Sequence, residues 1–318
     1  MTTRVAILDD YQNAALTLAD WSPLAGRAEP VVFDSAFADI DAAAAALADF
    51  PVIVAMRERT PFPAELFARL PACELLITTG MRNFSIDMAA AKSAGVTVCG
   101  TELLPYPAAE LTWGLILALS LNIPHDARIM AEGGWQTGVG ESLHGRTLGV
   151  IGLGKQGKQV VRFANAFEMD VVAWSRSLTP AQAAGHDARH VELDELLSTS
   201  DIVTIHVVLN EGTRGLIGAR EFGLMKPGAL LVNTARGPIV DEAALLEALN
   251  SGRIGGAAID VYDTEPLPAD HPLRRAPNTV LTPHMGYVTR ANLTLMYTQA
   301  VEDIAAWLDG KPVRVLNG

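Results

Sequence analysis

Thr147-Leu148-Gly149-Val150-Ile151-Gly152-Leu153-Gly154-Lys155-Gln156-Gly157 begins as an apolar run, breaks at Gly152, and passes through Gly154 and Gly157. It continues into Lys158-Gln159-Val160-Val161-Arg162-Phe163-Ala164, which has helical spacing. The pattern reads as strand, tight turn, helix. Gly152 permits the sharp turn, Gly154 lets backbone approach a pyrophosphate, and Gly157 lets helix and strand pack closely. The helix N-terminus then faces the anion, so a dinucleotide is expected here. Asp170-Val171-Val172-Ala173-Trp174 supplies the next strand, about 20 residues on, where the ribose-binding end belongs.

Upstream, short β-like runs alternate with helical patterns: Val5-Leu8 and Ala14-Trp21, Val31-Phe33 and Asp41-Phe50, Val52-Met56 and Ala64-Leu70, Leu75-Thr79 and Asp87-Ala94, then Val96-Cys99. Short connections between such elements imply a parallel sheet with helices on both faces. Gly100 to Thr147 reads as one long helical stretch and a loosened glycine loop, with Pro107 in a first-turn position and Glu110-Leu121 apolar almost all round. Downstream of Trp174 the alternation resumes with Ile202-His206, Ala229-Asn233, Asp241-Leu249, Gly256-Val261 and Thr279-Thr282. The helix near Ala291-Leu308 carries Leu293, Met296, Ala300, Ile304 and Trp307 on one face and is free to return to the first sheet. Two domains are expected, residues 1–103 with 285–318, and residues 104–284.

With 318 residues and 49% hydrophobic content, the chain can bury two cores. A net charge of -12 argues against nucleic acid or an anionic membrane as partner. Two cysteines, Cys73 and Cys99, are too few for a disulfide framework and read as buried small hydrophobes of a reducing compartment. Neither a secretory leader nor a bilayer-length apolar run is found, so a cytoplasmic protein is expected.

Ligands of open α/β sheets lie beyond the carboxyl ends of the strands. Arg236 follows the run Leu230-Ala235, Glu265 follows the strand ending near Val261, and His284 follows Val280-Pro283. Histidine exchanges a proton near neutrality, a carboxylate stabilises its imidazolium, and arginine offers a planar fork to a carboxylate and the carbonyl beside it. Beside a nicotinamide, that set performs hydride transfer on a 2-oxo acid.

The runs Val232-Asn233-Thr234-Ala235-Arg236-Gly237-Pro238-Ile239-Val240-Asp241-Glu242, Ala258-Ile259-Asp260-Val261-Tyr262-Asp263-Thr264-Glu265-Pro266-Leu267-Pro268 and Leu281-Thr282-Pro283-His284 resemble the D-isomer-specific 2-hydroxyacid dehydrogenase family. With the glycine fingerprint, the resemblance spans essentially the whole chain. It implies an α/β protein of two doubly wound parallel-sheet domains, a flavodoxin-like substrate domain and a Rossmann cofactor domain. It implies His284 as acid/base, Glu265 as its partner and Arg236 as the substrate-orienting cation. The turn Thr79-Gly80-Met81-Arg82-Asn83 is implied to bind the substrate carboxylate, with Gly80 and Met81 at its centre, and Arg57 resembles another substrate-pocket position. The implied cofactor set is Gly152, Gly154, Lys155, Gln156, Gly157, Ser175, Arg176, His206, Val207, Thr234, Ala235, Asp260 and Gly286, with Asp260 on the nicotinamide carboxamide. No metal site is implied.

Two departures bear on chemistry. Trp174-Ser175-Arg176-Ser177 replaces the aspartate many members carry after the second Rossmann strand. Serine and arginine accept a 2'-phosphate that an acid would repel, which favours NADP and leaves NAD possible. Val208 stands where proline is usual and alters the cofactor rim. Small 2-oxo acids such as glyoxylate or hydroxypyruvate are the expected substrates, in a cleft between domains, and a homodimer is expected from the apolar helix and the loop through Trp135. A short phosphoglycerate dehydrogenase is the near alternative, although the sequence beyond His284 leaves no room for the regulatory extension many of those enzymes carry. Glu265, where formate dehydrogenases have glutamine, argues against formate. A dinucleotide-sensing corepressor-like protein is the alternative of another class, with no basic tail or disordered arm to favour it.

Overall fold

The computed structural model describes residues 2–318, which divide into two compact units, one running up to Leu104 and resuming at Val288–Gly318, the other Pro105–Tyr287. In the first unit β1 (Thr3–Ile7), β2 (Ala28–Val32), β3 (Val52–Ala55), β4 (Leu75–Thr78) and β5 (Thr97–Gly100) form a parallel sheet in the order β2-β1-β3-β4-β5. Every residue of β3 and β4 is buried, which explains their uninterrupted apolar sequences. Asp39, Asp87 and Thr289 cap helices Ile40–Leu47, Met88–Ser93 and Arg290–Leu308 by accepting from a first-turn N–H. The last of these buries Leu293, Met296, Ala300 and Ile304 in this unit, as its spacing requires. Strand order reverses between β1 and β3, so their exits, at Leu8–Asp10 and Met56–Thr60, border a crevice.

The second unit has seven parallel strands: β6 (Thr147–Ile151), β7 (Asp170–Trp174), β8 (Arg189–His190), β9 (Ile202–Ile205), β10 (Leu230–Asn233), β11 (Gly256–Ile259) and β12 (Thr279–Leu281). Their order is β12-β11-β10-β9-β6-β7-β8, the doubly wound dinucleotide-binding arrangement with one further strand. Its switch point lies between β6 and β9, beside the glycine fingerprint. Two apolar clusters fill the two faces, one around Val203, Leu231 and Ile259, the other around Leu148, Val160 and the helix Pro107–Ser120.

Two local expectations are corrected. The first helix is only Ala15–Leu18 instead of extending to Trp21, because Pro23 starts a separate 3-10 turn, Ser22–Leu24, and Asp20 accepts from the Ser22 N–H. The long helical stretch is two helices, Pro107–Ser120 and Ile123–Ala131, divided at left-handed Asn122 (φ 55°), after which Pro124 fits the first turn of a new helix. The chain passes from one unit to the other at Leu104–Pro105 and again at Tyr287–Val288. Leu104 N–H donates to Asn292 Oδ1 (2.9 Å) in the first unit, whereas Met285 and Gly286 donate to Asp260 in the second. No helix among the described residues is long and apolar enough to cross a membrane.

Candidate active site

In the second unit, Gly152 has φ 104° and lies so near the exit of β9 that a Cβ would meet the His206 carbonyl carbon at 2.7 Å and the Val207 nitrogen at 2.8 Å. A Cβ on Gly157 would fall 2.1 Å from the Gly152 carbonyl oxygen. Both glycines are demanded by backbone packing. A Cβ on Gly154 would meet nothing within 4 Å. The cradle in front of it is therefore open, and Gly154 precedes helix Lys155–Ala166 with no side chain capping its first turn. Uncapped N–H groups beside an open glycine suit a phosphate. Lys155 is exposed and Gln156 half-buried at that terminus.

His206 ends this wall. Its Nε2 lies 3.0 Å from Thr204 Oγ1, and its buried Nδ1 has no protein partner. Desolvation lowers the imidazole to about 4, so it is neutral at ordinary pH. Val207 packs on the apolar core beside it. An open glycine cradle, a free helix terminus and an orphaned imidazole nitrogen together fit a dinucleotide.

Beyond β7, Ser175 is half-buried and Arg176 exposed. Arg176 Nη2 donates to Asn210 Oδ1 (3.2 Å), and its guanidinium covers Gly212, where a Cβ would come within 2.2 Å. Ser175 also lines a cavity of about 320 Å³ with Lys158, Ser177 and His186. Sequence reading did not single out Lys158, Asn210 or His186. Lys158, one turn into the helix after the glycines, had the spacing of an ordinary solvated face.

The exits of β10, β11 and β12 are built on one another. Asn233 Oδ1 accepts from Ala235 N–H (3.0 Å) and its Nδ2 donates to Arg236 O (3.0 Å), which fixes the turn after β10. Thr234 is buried, its Oγ1 2.7 Å from Thr112 Oγ1. Arg236 is half-buried, with Nη1 donating to Ala235 O (2.6 Å). Gly237 is pressed on the next exit, where a Cβ would lie 2.2 Å from the Tyr262 carbonyl carbon. That contact brings the Arg236 turn against the loop carrying Glu265.

Glu265 Oε1 accepts from the Tyr262 N–H (2.9 Å), and Oε2 lies 2.5 Å from His284 Nδ1. The two side chains are 27% and 20% exposed, enough burial to make a close pair informative. His284 adopts φ 50°, and its N–H donates to Thr282 O (3.1 Å). Asp260 is fully buried. Its Oδ1 accepts from Thr282 Oγ1 (2.6 Å) and Met285 N–H (2.9 Å), and its Oδ2 from Gly286 N–H (3.0 Å). Burial pushes the Asp260 carboxyl up, opposed by these donors and by His284. Asp260 thus organises the backbone on which His284 sits, and a carboxylate's four lone-pair directions leave room for one more donor. Thr282 and Met285 belong to this arrangement and were not among the expected residues.

In the first unit, Arg57 is also left-handed (φ 53°), its N–H donating to Thr79 Oγ1 (2.8 Å) and Nη1 to Thr79 O (2.9 Å). A Cβ on Gly80 would fall 2.0 Å from that Nη1. Asn83 Nδ2 donates to Arg57 O (2.5 Å) and Thr78 Oγ1 (2.9 Å). Arg57 and the Gly80 turn, separate expectations in the sequence, are one local structure, with Met81 46% exposed beside them.

Residues 113–286 match the NAD binding domain of the D-isomer specific 2-hydroxyacid dehydrogenases. Hydroxypyruvate reductase of Blautia hydrogenotrophica is 29% identical over 99% of both chains. Glyoxylate reductase of Aeropyrum pernix is 37% identical over 80% of this chain and 79% of its own. The crystal structure of a phosphoglycerate oxidoreductase from Vibrio cholerae O395 superposes with a TM-score of 0.93 at 34% identity, covering 97% of this chain and 100% of that one. The chain belongs to the D-isomer specific 2-hydroxyacid dehydrogenase family. It is an NAD(P)-dependent oxidoreductase acting on 2-hydroxy or 2-oxo acids.

Proposed function

We propose that the protein reduces small 2-oxo acids of the glyoxylate and hydroxypyruvate kind to D-2-hydroxy acids, with NADP(H) favoured over NAD(H). The observation that carries this reading is the Glu265–His284 pair at 2.5 Å. Glu265 engages Nδ1, which leaves Nε2 of His284 to give a proton to the substrate's carbonyl oxygen. Bound nicotinamide supplies the hydride that reduces the keto carbon. Arg236 orients the carboxylate and the adjacent carbonyl, and as the oxygen gains charge its guanidinium stabilises it. In the first unit the N–H groups of the Gly80–Met81 turn receive the carboxylate, with Arg57 adding positive charge. Glu265 stabilises the imidazolium before transfer, and the product leaves as the 2-hydroxy acid with His284 neutral. In oxidation the same atoms run in reverse.

The glycine loop with Lys155 and Gln156 would hold the pyrophosphate of a bound dinucleotide, Thr234, Ala235 and Gly286 would border its nicotinamide half, and Asp260 would accept from its carboxamide. NADP is favoured because Ser175 stands where many members carry a carboxylate, while Lys158, which lines the cavity beside Ser175, and Arg176, held on Asn210, are the cations that would meet a 2'-phosphate. NAD use is the alternative.

A second substrate reading, a phosphorylated 2-hydroxy acid, draws on the likeness to the phosphoglycerate oxidoreductase and on Arg57 and Arg59 after β3. Rates with hydroxypyruvate, glyoxylate and 3-phosphohydroxypyruvate, each with NADPH and NADH, separate the two. Higher kcat/KM for the unphosphorylated acids supports the first reading, and a clear preference for the phosphorylated acid replaces it. The homodimer rests on helix Ile123–Ala131, none of whose residues is buried, and on exposed Ile123, Met130 and Trp135.

A further inference from the structure

The segment following helix Arg290–Leu308 lies antiparallel along β5 in the first unit. Gly100 N–H donates to Arg314 O (3.1 Å), Leu316 N–H to Val98 O (2.7 Å) and Val98 N–H to Asn317 Oδ1 (2.9 Å). Asn317 Nδ2 donates to Val96 O (2.8 Å), and Cys99 and Val315 form a bridge pair. Covering an open sheet edge explains the backbone bonds. It does not explain the side-chain anchor. Arg314 takes a left-handed conformation (φ 51°), its Nε donating to Asp303 Oδ1 (3.0 Å) and its Nη2 to Gln299 O (2.9 Å), with Glu302 Oε2 at 3.0 Å. Asp303 is fully buried. The Arg314 guanidinium therefore ties this segment to the buried Asp303 side chain and to the helix Arg290–Leu308, a link that edge pairing alone does not require.

What the anchor fixes, two residues on, is Leu316. A Cβ on Gly100 would meet Gly80 O at 2.8 Å, Leu316 Cδ1 at 2.9 Å and Met81 Cα at 3.3 Å. The Leu316 side chain and the Gly80–Met81 turn therefore crowd the same point from β5, and Gly100 has no side chain because none fits. Gly80 has φ 138°, a conformation that side-chain-bearing residues rarely adopt, and it needs outside support to hold one orientation.

We propose that this strap is a positioning element for substrate. Arg314 on Asp303 fixes Leu316, Leu316 backs Gly100, and the two set the direction of the N–H groups of Gly80 and Met81. Leu316 touches neither substrate nor cofactor. The inference rests on the reading that this turn receives the substrate carboxylate.

The test compares Leu316→Ala, Leu316→Met and wild type in the full chain by three readouts: KM and kcat for hydroxypyruvate, NADPH affinity by fluorescence, and amide exchange over residues 79–83. Leu316→Ala is expected to raise KM on the order of tenfold, the cost of one misdirected charge-assisted bond, with kcat within about twofold and NADPH affinity unchanged. Exchange over 79–83 rises, and Leu316→Met restores both. If Leu316→Ala does not fold, Leu316→Val carries the same expectation in weaker form. Unchanged exchange overturns the coupling, and faster exchange with unchanged KM overturns its role in substrate binding. A wild type that turns over no 2-oxo acid, with exchange still responding to Leu316→Ala, retains the coupling and removes the reading of the turn on which its substrate role rests.

Discussion

Single side chains divide into those whose setting follows from chain neighbours and those set by distant ones. Gly157 is legible in sequence because the clash that forbids its Cβ is with the Gly152 carbonyl of the same strand-turn-helix unit, whereas Gly152 is legible only through its place in the fingerprint, its own crowding coming from distant His206 and Val207. Arg236 and His284 could be singled out because each closely follows an apolar strand, whereas Glu265 lies deeper in the loop after β11 and is tied to them only through its bond with His284. The donors filling Asp260 were not legible, since they come from residues 282–286 and depend on which loop β12 brings alongside β11. Nor was Arg176's hold on Asn210, which joins the exits of β7 and β9. Cofactor choice belongs to this scale. Ser175→Asp is expected to raise the KM for NADPH tenfold or more, roughly what one added like charge near a phosphate costs, and to leave NADH nearly unchanged. Steady-state rates with both cofactors check it, and an equal change for both would detach Ser175 from the 2'-phosphate.

At the scale of elements, apolar runs identified eleven of the strands, but β8, Arg189–His190, has two polar residues and only its pairing with β7 makes it a strand. The one-turn helix Ala15–Leu18 is too short to show a periodicity of its own. Helix Arg290–Leu308 contributes a pH dependence that its apolar face does not announce. Burial raises Asp303 to about 7, against the pull of Arg314 and with Glu302 adding to the rise. A carboxyl whose folded pKa exceeds its unfolded one favours folding while protonated. Its contribution is complete below the ordinary carboxylate pKa of 3.8 and is lost as pH rises through about 7. The melting temperature of the protein is thus expected to fall between about pH 4 and pH 7 through this group, and Asp303→Asn to flatten that slope. Thermal unfolding across the range checks it, and an unchanged slope in the variant assigns the dependence to other groups.

For the whole molecule, two parallel sheets followed from the alternation of short strands and helices, and the return of Arg290–Leu308 to the first unit followed from its one-sided apolar face. Association between chains is less legible, because an apolar helix that packs within a unit and one that meets another chain share a pattern. Pro107–Ser120 proves to be mostly of the first kind, burying Trp113, Ile116 and Leu119, whereas Ile123–Ala131 buries nothing. A homodimer through the latter predicts twice the chain mass by light scattering, with Met130→Glu shifting the mass toward monomer. A monomeric wild type at micromolar concentration would refute it.

The proposed hydride transfer to a 2-oxo acid depends on His284 as the proton donor. Its most direct test is NADPH oxidation with saturating hydroxypyruvate by wild type and His284→Ala, with NADPH affinity measured on both. The expected result is turnover by wild type, a kcat lower by about 10²–10⁴ in the variant, and equal cofactor binding. Near-normal turnover in His284→Ala would contradict the assignment.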